Sequence, residues 1–349
     1  MMAVAILLIG CEESSPVTPT EEFNQTDRSL LIACEGNYGA SNASLSGYTP
    51  SSNTCENEIF LRANGQLLGD VAQSMTLYDG KIWICSNNSG VIFAIDPTTY
   101  KEVGRILIPG PRYIHFLSPE KAYVTQLWDN RIAIVNPKTY TALPESEWIT
   151  TEMEASQAST EQLVQIGHYV YVNCWSYQRS LLKIDTQTDR VVATLEVDIQ
   201  PAALTADKNG KLWTLCDGGQ WDGNPLGYEA PTLLRIDPET FSIEARFTMN
   251  KGEFPAKLQC NLAGDRLYWL NNGLWSMSVD STALPAEAAF STGLTAEYGL
   301  TIDPSTEEIY VSDAVDYTQA GTVARFSPEG DLIDTFTVGI CPSAFVWIP

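Results

Sequence analysis

Short runs of apolar and aromatic residues recur along the chain, and most of them place Trp or Tyr at the second position. Examples are Ile82-Trp83-Ile84, Val170-Tyr171-Val172 and Leu212-Trp213-Thr214. Residues of these types, bounded by turn signals, indicate β-strands. Seven such runs form an internal repeat with starts 40 to 55 residues apart, at Leu30, Ile82, Ala122, Val170, Leu212, Leu267 and Ile309.

Turn signals divide each repeat into four strands. A hairpin signal such as Asp79-Gly80 precedes the aromatic run, and a second turn such as Asp96-Pro97-Thr98-Thr99 follows the next strand. Proline at the second turn position fixes the φ angle that the turn requires. Four-stranded units of this length are typical of propeller blades. We therefore predict an all-β fold, a seven-bladed β-propeller without long helices.

The two ends of the repeat predict how the ring closes. The pattern begins on a second strand at Leu30, and the chain ends with what looks like a lone first strand at Phe345-Val346-Trp347-Ile348. Pairing of these two segments would complete the first blade and remove two exposed sheet edges. We therefore predict one propeller domain over residues 29–349, closed by pairing of the C-terminal strand into the first blade.

The position of a loop within a blade predicts a functional face. When four antiparallel strands run outward from the axis, the loops after strands two and four emerge on the same side. Here those loops interleave aromatic rings with amides and acids, which together suit ligand recognition. They also bring Glu161 and Lys257 to this face. The predicted ligand-binding residues are Tyr38, Asn87, Asn88, Arg112, Tyr113, Trp128, Asp129, Asn130, Trp175, Tyr177, Gln178, Trp221, Asn224, Asn271, Asn272, Tyr298 and Tyr317. The Trp/Tyr column inside the second strands is instead predicted to be core between blades.

Charge and composition exclude several functions. The chain has 43 Asp and Glu against 20 Lys and Arg, a net charge of −23, and no basic run, so nucleic acid is excluded as a partner. Its two histidines, His115 and His168, leave little room for imidazole chemistry. No Ser-His-Asp set, Walker loop or Cys-x-x-Cys pair is present. We predict a non-enzymatic protein with no catalytic residue and no metal.

Two alternatives stay open. The loop at residues 217–224 loosely resembles calcium loops, although it lacks the spacing of an EF-hand, so calcium is an alternative there. An enzyme of the propeller lactonase or quinoprotein kind would gather its chemistry on the axis. The residues expected on the axis lie at the ends of the second strands, and only one of them is a carboxylate. They are Cys34, Ser86, Gln126, Cys174, Cys216, Asn271 and Asp313.

The first 28 residues predict export and anchoring. Residues 1–10 form a short apolar segment without a basic start, which we interpret as a truncated signal peptide. Leu8-Ile9-Gly10 before Cys11 resembles a bacterial lipobox, in which the cysteine is lipidated. Residues 11–28 are polar and acidic, as in a flexible tether. We expect outer-membrane anchoring through this lipid alone, with the protein facing the cell exterior. Seven further cysteines, an odd number, predict mainly free thiols.

With the lipobox, the acidic tether, the Asp-Pro-x-Thr turns and the closing Phe345-Val346-Trp347 strand, nearly the whole chain resembles the YncE-like propellers of Bacteroidetes. Among these it is most similar to the surface-exposed cobalamin-binding lipoproteins of the BtuG type. The resemblance implies capture of a vitamin B12-like corrinoid, without a cofactor of its own, and delivery to a BtuB-like TonB-dependent transporter. A protein- or glycan-binding propeller is the alternative to corrinoid capture.

Overall fold

The computed structural model describes residues 29–154 and 158–348. Within this part, β-strands form seven antiparallel sheets, and helix is confined to two short segments. The predicted all-β, seven-bladed propeller is confirmed. The predicted signal peptide, the tether and Cys11 lie outside the described residues. No helix in the described part is long and apolar enough to cross a membrane.

The first three blades contain strands β1 to β12. In chain order these are β1 (Ser29–Cys34), β2 (Ser44–Thr49), β3 (Thr54–Glu56), β4 (Ala72–Tyr78), β5 (Lys81–Ser86), β6 (Val91–Ile95), β7 (Glu102–Leu107), β8 (Pro111–Ser118), β9 (Lys121–Gln126), β10 (Arg131–Asn136), β11 (Thr141–Ala142) and β12 (Ile149–Thr150). Helix α1 (Ile59–Asn64) connects the first two blades, and a 3-10 turn covers Glu145–Glu147. Neither helical segment was predicted from the sequence.

The other four blades contain strands β13 to β27. They are β13 (Thr160–Ile166), β14 (Tyr169–Cys174), β15 (Ser180–Asp185), β16 (Arg190–Glu196), β17 (Pro201–Ala206), β18 (Leu212–Cys216), β19 (Thr232–Asp237), β20 (Ser242–Thr248), β21 (Ala256–Cys260), β22 (Arg266–Leu270), β23 (Leu274–Ser278), β24 (Glu297–Ile302), β25 (Ile309–Asp313), β26 (Thr322–Phe326) and β27 (Leu332–Thr337). The last strand, β28 (Pro342–Ile348), belongs to the first blade.

The prediction of four strands in every blade is wrong for two blades. The third sheet has five strands, because the short strands β11 and β12 both pair with β10. The sixth sheet contains three strands, β21 to β23, in the described part of the chain. The segment that follows is rich in small residues and carries Pro285 and Gly293, and it makes an isolated bridge between Leu274 and Phe290. Without a run of β-branched residues, this segment has little tendency to extend the sheet.

The C-terminal strand closes the ring as predicted. Strand β28 pairs antiparallel with β1, with Trp347 opposite Leu30 and Phe345 opposite Ile32. The first sheet therefore has the order β28-β1-β2-β3, so its innermost strand comes from the opposite end of the chain. This pairing gives hydrogen-bond partners to the backbone groups on the inner edge of β1, which would otherwise be exposed.

The core consists of seven apolar clusters, each lying between two neighbouring blades. One of them joins the seventh blade to the first and contains Leu30 and Tyr310. The predicted aromatic column fills these clusters, since Trp83, Tyr123 and Trp213 are at most 1% exposed. Truncation of such a side chain to alanine costs about 3–5 kcal/mol. The prediction that the column is core between blades is confirmed.

The seven described cysteines are free thiols. Cys34, Cys85 and Cys174 end second strands inside the clusters between blades. Burial raises the pKa of each of these three thiols to about 12. Because the thiolate is the reactive form, these cysteines are structural and chemically inert.

The Asp-Pro-x-Thr turns make stability depend on pH. The Asp237 carboxylate accepts the backbone N–H groups of Glu239 and Thr240 at 2.8 and 2.9 Å, and the ammonium of Lys211 lies 2.6 Å away. Lys211 in the first place, and then these N–H groups, hold the pKa of Asp237 below its usual range. The corresponding Asp96 has a lowered pKa because Thr99 and Thr98 donate to it.

We expect Asp237→Asn to lower the free energy of unfolding at about pH 7 by about 1 kcal/mol, because the amide keeps the turn geometry and loses the charge. A carboxyl group whose pKa is lower in the folded than in the unfolded protein stabilises the fold at any pH above its unfolded pKa. This stabilisation is lost as the pH falls through the pKa of the folded state. Urea denaturation of both proteins at about pH 7 and about pH 3 measures how the difference in stability changes with pH. A deficit that is unchanged in acid would contradict the electrostatic explanation, and Asp331→Asn serves as the control.

Candidate functional site

Every innermost strand carries a β-bulge close to its first residue. A bulge adds residues to one strand of a pair and turns their side chains in a new direction. The first added residue of each strand lines a single cavity of about 750 Å³ around the propeller axis. We call these seven residues the axial ring: Gln73, Arg112, Glu161, Ala202, Lys257, Tyr298 and Ser343.

One side of the axial ring is a closed hydrogen-bonded arc across three blades. The Arg112 Nε donates to both Glu161 carboxylate oxygens at 3.0 and 2.9 Å, and its Nη1 donates to Gln73 Oε1. Ser159 Oγ donates to Glu161 Oε1 at 2.9 Å. Burial by itself would lower the pKa of Arg112, but Glu161, with smaller contributions from Tyr113 and Glu35, outweighs burial, and the pKa is raised. Both charges of this arc are therefore paired.

The other side of the axial ring holds two charges that do not pair directly. The Tyr298 hydroxyl donates to Glu35 Oε2 at 2.7 Å, and the Lys257 ammonium lies 5.4 Å from the centroid of the Tyr298 ring. Among the described residues, no carboxylate oxygen lies within 4.0 Å of Lys257 Nζ. Burial lowers the pKa of Lys257 against the opposing attraction of Glu35. Lys257 of the ring and Glu35 of the neighbouring loop thus present a cation and an anion to the cavity.

Exposed aromatic side chains surround the mouth of the cavity, and we call them the aromatic rim. Tyr38 and Tyr317 line the cavity itself, and the other three members each adjoin a lining residue in sequence. The rim consists of Tyr38, Trp128, Trp221, Phe254 and Tyr317, which are 81, 51, 55, 57 and 50% exposed. Monomeric proteins rarely gather so many exposed rings without a binding role. The site is thus an apolar platform around a polar cavity.

The structure brings seven of the predicted ligand-binding residues to this cavity. They come from loops after second strands and from the starts of innermost strands, so these two groups of residues meet at one cavity, and their role in ligand binding stays a prediction. The seven are Tyr38, Asn87, Arg112, Tyr113, Trp175, Tyr298 and Tyr317. Burial raises the pKa of Tyr113 to about 12, so its hydroxyl stays protonated and can donate a hydrogen bond. Two further predicted residues, Trp128 and Trp221, belong to the aromatic rim.

Several predicted amides and acids are already occupied by the protein. Asn88 Nδ2 donates to Asp70 at 2.6 Å, Asp129 pairs with Arg131 at 2.8 Å, Asn130 Nδ2 donates to the Met153 carbonyl at 3.2 Å, and Asn271 Oδ1 accepts from Phe254 N at 3.3 Å. Asn224 is 5% exposed and its Nδ2 donates to Gln200 and Gly219. We correct the prediction for Asn224, because a buried amide with both donors used has nothing left for a ligand.

The remaining predicted residues lie away from the axis. Tyr177 and Gln178 continue the loop after Trp175 and are partly buried. Asn272 lines a separate cavity of about 190 Å³ together with Phe254 and Glu297. This smaller cavity adjoins the axial one, because Glu297 also lines the larger.

Sequence reasoning placed the wrong residues on the axis. The ends of the second strands, including Cys34, Ser86 and Gln126, are buried between blades, and the axial ring comes from the innermost strands. Gln73 was missed altogether. The available signal is weak: a small residue or proline opens most of the innermost strands, and a polar residue often follows, as in Pro111-Arg112 and Ala256-Lys257.

His115 and the acidic loop at residues 217–224 both make hydrogen bonds within the protein. His115 Nε2 lies 3.0 Å from Gln165 Oε1, and burial lowers the pKa of this histidine. The Asp217 carboxylate accepts hydrogen bonds from Trp175, Gly219 and Gln200, and burial raises its pKa. Among the described residues, no group of three His, Cys, Asp or Glu side chains is arranged to hold a metal ion.

Comparisons with known proteins agree with the fold. A family model described as "Domain of unknown function (DUF5074)" matches residues 28–338. No curated protein sequence matches the chain. The periplasmic gluconolactonase PpgL of Pseudomonas aeruginosa is 13% identical, with a TM-score of 0.67 over 93% of this chain and 99% of that chain.

Two further solved structures share the architecture. A putative 6-phosphogluconolactonase from Bacteroides uniformis is 14% identical, with a TM-score of 0.65 over 93% of this chain and 100% of that chain. Apo AztD from Citrobacter koseri is 11% identical, with a TM-score of 0.57 over 92% of this chain and 97% of that chain. At these identities, similarity extends to the fold alone.

Proposed function

The chain belongs to the DUF5074 family, and we propose that it is a non-enzymatic, surface-exposed lipoprotein that captures a vitamin B12-like corrinoid on the aromatic rim. It then delivers the corrinoid to a TonB-dependent outer-membrane transporter. The observation that carries the proposal is the aromatic rim around one broad polar cavity. A corrinoid is a wide disc with partly apolar faces and a fringe of amides, so its shape and chemistry match such a platform.

The energetics of the rim favour a flat ligand without a large charge. Each well-placed aromatic contact contributes about 0.5–1.5 kcal/mol beyond the apolar area that it buries. Several rings acting together therefore support micromolar or tighter binding without any ion pair. The chain's net charge of −23 does not oppose a ligand that is recognised through stacking and neutral hydrogen bonds.

Anchoring and delivery rest on the sequence and on the openness of the rim. The lipobox-like segment before Cys11 supports attachment to a membrane through lipid, and the acidic tether supports display at the cell exterior. A disc lying across an open mouth keeps its outer face accessible, whereas an enclosed ligand would have to be released first. A transporter could therefore contact the corrinoid while this protein still holds it.

Removal of a rim ring is expected to weaken binding. In a calorimetric titration with cyanocobalamin, the unmodified protein should give saturable heat at one site. Trp221→Ala should weaken the affinity about 10- to 100-fold, because exposed tryptophans in recognition surfaces often contribute about 1–3 kcal/mol. Leu262→Ala is the control, since Leu262 is 79% exposed in the turn between β21 and β22, on the opposite face. The absence of any heat or spectral change at micromolar concentration would contradict corrinoid capture.

A second candidate is the hydrolysis of a sugar lactone. It is favoured by carboxylates that line the axial cavity, Glu35 and Glu161 among them, and by the fold shared with proteins named gluconolactonase. Against it, Arg112 holds Glu161 through two hydrogen bonds. Proton release from glucono-δ-lactone distinguishes the candidates: acceleration over buffer that disappears in Glu35→Gln would favour the enzyme.

A further inference from the structure

One charged group that lines the axial cavity has no protein partner. Lys257 Nζ has neither a hydrogen bond nor an ion pair within the described residues, and its contact is the face of the Tyr298 ring. Lys257 is only partly buried, so its ammonium is open to a ligand that enters the cavity. A ligand that accepts a hydrogen bond would supply the partner that the protein does not.

Lys257 also has an unusual backbone conformation. Lys257 has φ 59°, in the left-handed region, and it is the one member of the axial ring with a positive φ. A residue other than glycine is strained in that region. The left-handed residue lies in the bulge of β21, where the direction of the side chains changes.

The arrangement of charges selects the chemistry of the ligand. Arg112 and Glu161 cancel each other within the closed arc. Asp217 and Glu297 also line the cavity, and both accept hydrogen bonds from other residues of the protein. Lys257 and Glu35 remain, one against the ring of Tyr298 and the other bonded to its hydroxyl. A carboxylate bound to Lys257 would meet the negative charge of Glu35, and an ammonium bound to Glu35 would meet Lys257. The site suits a neutral group that accepts a hydrogen bond on one side and donates one on the other.

We infer that the axial cavity binds a primary amide. Its carbonyl oxygen accepts a hydrogen bond from Lys257 Nζ, and its N–H donates to the Glu35 carboxylate. This inference rests on the proposed function. In the bound corrinoid, one amide of the fringe would enter the cavity while the disc lies on the aromatic rim. The amide would fix the orientation of the disc, because polar groups in a pocket determine how an apolar ligand is placed.

Two small probes of the same shape test the cavity without any corrinoid. Crystals of the full chain are soaked with propionamide or with propionate. We expect propionamide between Lys257 and Glu35 in the unmodified protein and none in Lys257→Met. Lys251→Met is the matched control, because Lys251 also lies over a tyrosine ring, 4.2 Å from the centroid of Tyr228, but does not line the cavity. Binding of propionate alone, or of neither probe, would overturn the inference.

A second measurement connects the cavity to the corrinoid. The affinity for cyanocobalamin should fall about tenfold or more in Lys257→Met and in Glu35→Gln, because each removes a charge-assisted hydrogen bond. It should stay unchanged in Lys251→Met. Equal affinity of Lys257→Met and the unmodified protein would overturn the assignment of the amide. If propionamide binds but cyanocobalamin does not, the proposed function fails and the amide site stands.

Discussion

Deletion of residues 342–349, which removes β28, should abolish cooperative folding of the whole propeller. This strand pairs with β1 along nearly its whole length and supplies Phe345 and Trp347 to the cluster that joins the seventh blade to the first. Loss of one large apolar side chain costs about 2–5 kcal/mol. The free energy lost with the whole strand therefore exceeds the free energy of unfolding of a typical domain, about 5–15 kcal/mol.

Circular dichroism during heating measures this effect. The truncated chain should lose the near-ultraviolet signal of its packed aromatics and show no sharp thermal transition. Ile333→Ser is a suitable control, because Ile333 lies exposed on the outer strand β27, and its melting should match that of the unmodified protein. A truncated chain that melts cooperatively at the original temperature would contradict closure of the ring by β28.

The second large effect is expected at the buried ion pair of the axial ring. Glu161→Gln should lower the free energy of unfolding by about 3–5 kcal/mol, because it leaves the Arg112 guanidinium buried without its counter-charge. The two side chains are 12 and 4% exposed, so water cannot replace the lost partner. Replacement of both together, by Arg112→Met with Glu161→Leu, should cost much less than the two single changes added.

Urea denaturation of the two single variants and the double variant gives the coupling energy of the pair. Glu120→Gln is the matched control, since Glu120 and Lys138 form an ion pair of 2.7 Å with both side chains exposed, and solvent screens it. We expect no marked change in that control. A loss in Glu161→Gln as small as the loss in Glu120→Gln would contradict the claim that the arc is a buried charge pair.

The blade pattern was predictable because it is set by local chemistry. The aromatic runs and the Asp-Pro-x-Thr turns repeat along the chain, and each specifies a strand or a turn without distant information. Ring closure was also predictable, because the strand at Phe345-Val346-Trp347 had no neighbour of its own. The missing fourth strand of the sixth blade is a smaller error, since an outer strand contributes least to the core.

The axial ring was not predictable in the same way. A bulge changes the direction of side chains without changing the apolar pattern of the strand, so Gln73 and Ser343 look like ordinary strand residues in the sequence. The loops were located correctly, but the sequence could not tell that the amide of Asn224 donates to Gly219 in its own loop and to Gln200 in the loop before β17. Side-chain hydrogen bonding in loops depends on three-dimensional contacts that no short pattern encodes.

The most direct test of the account is a structure of the protein crystallised with cyanocobalamin. We predict that the corrin disc lies across the mouth of the axial cavity, in contact with Trp128, Trp221 and Tyr317, with one peripheral amide between Lys257 and Glu35. Electron density for the corrinoid on the opposite face, or an aromatic rim that stays empty at saturating ligand, would contradict the account.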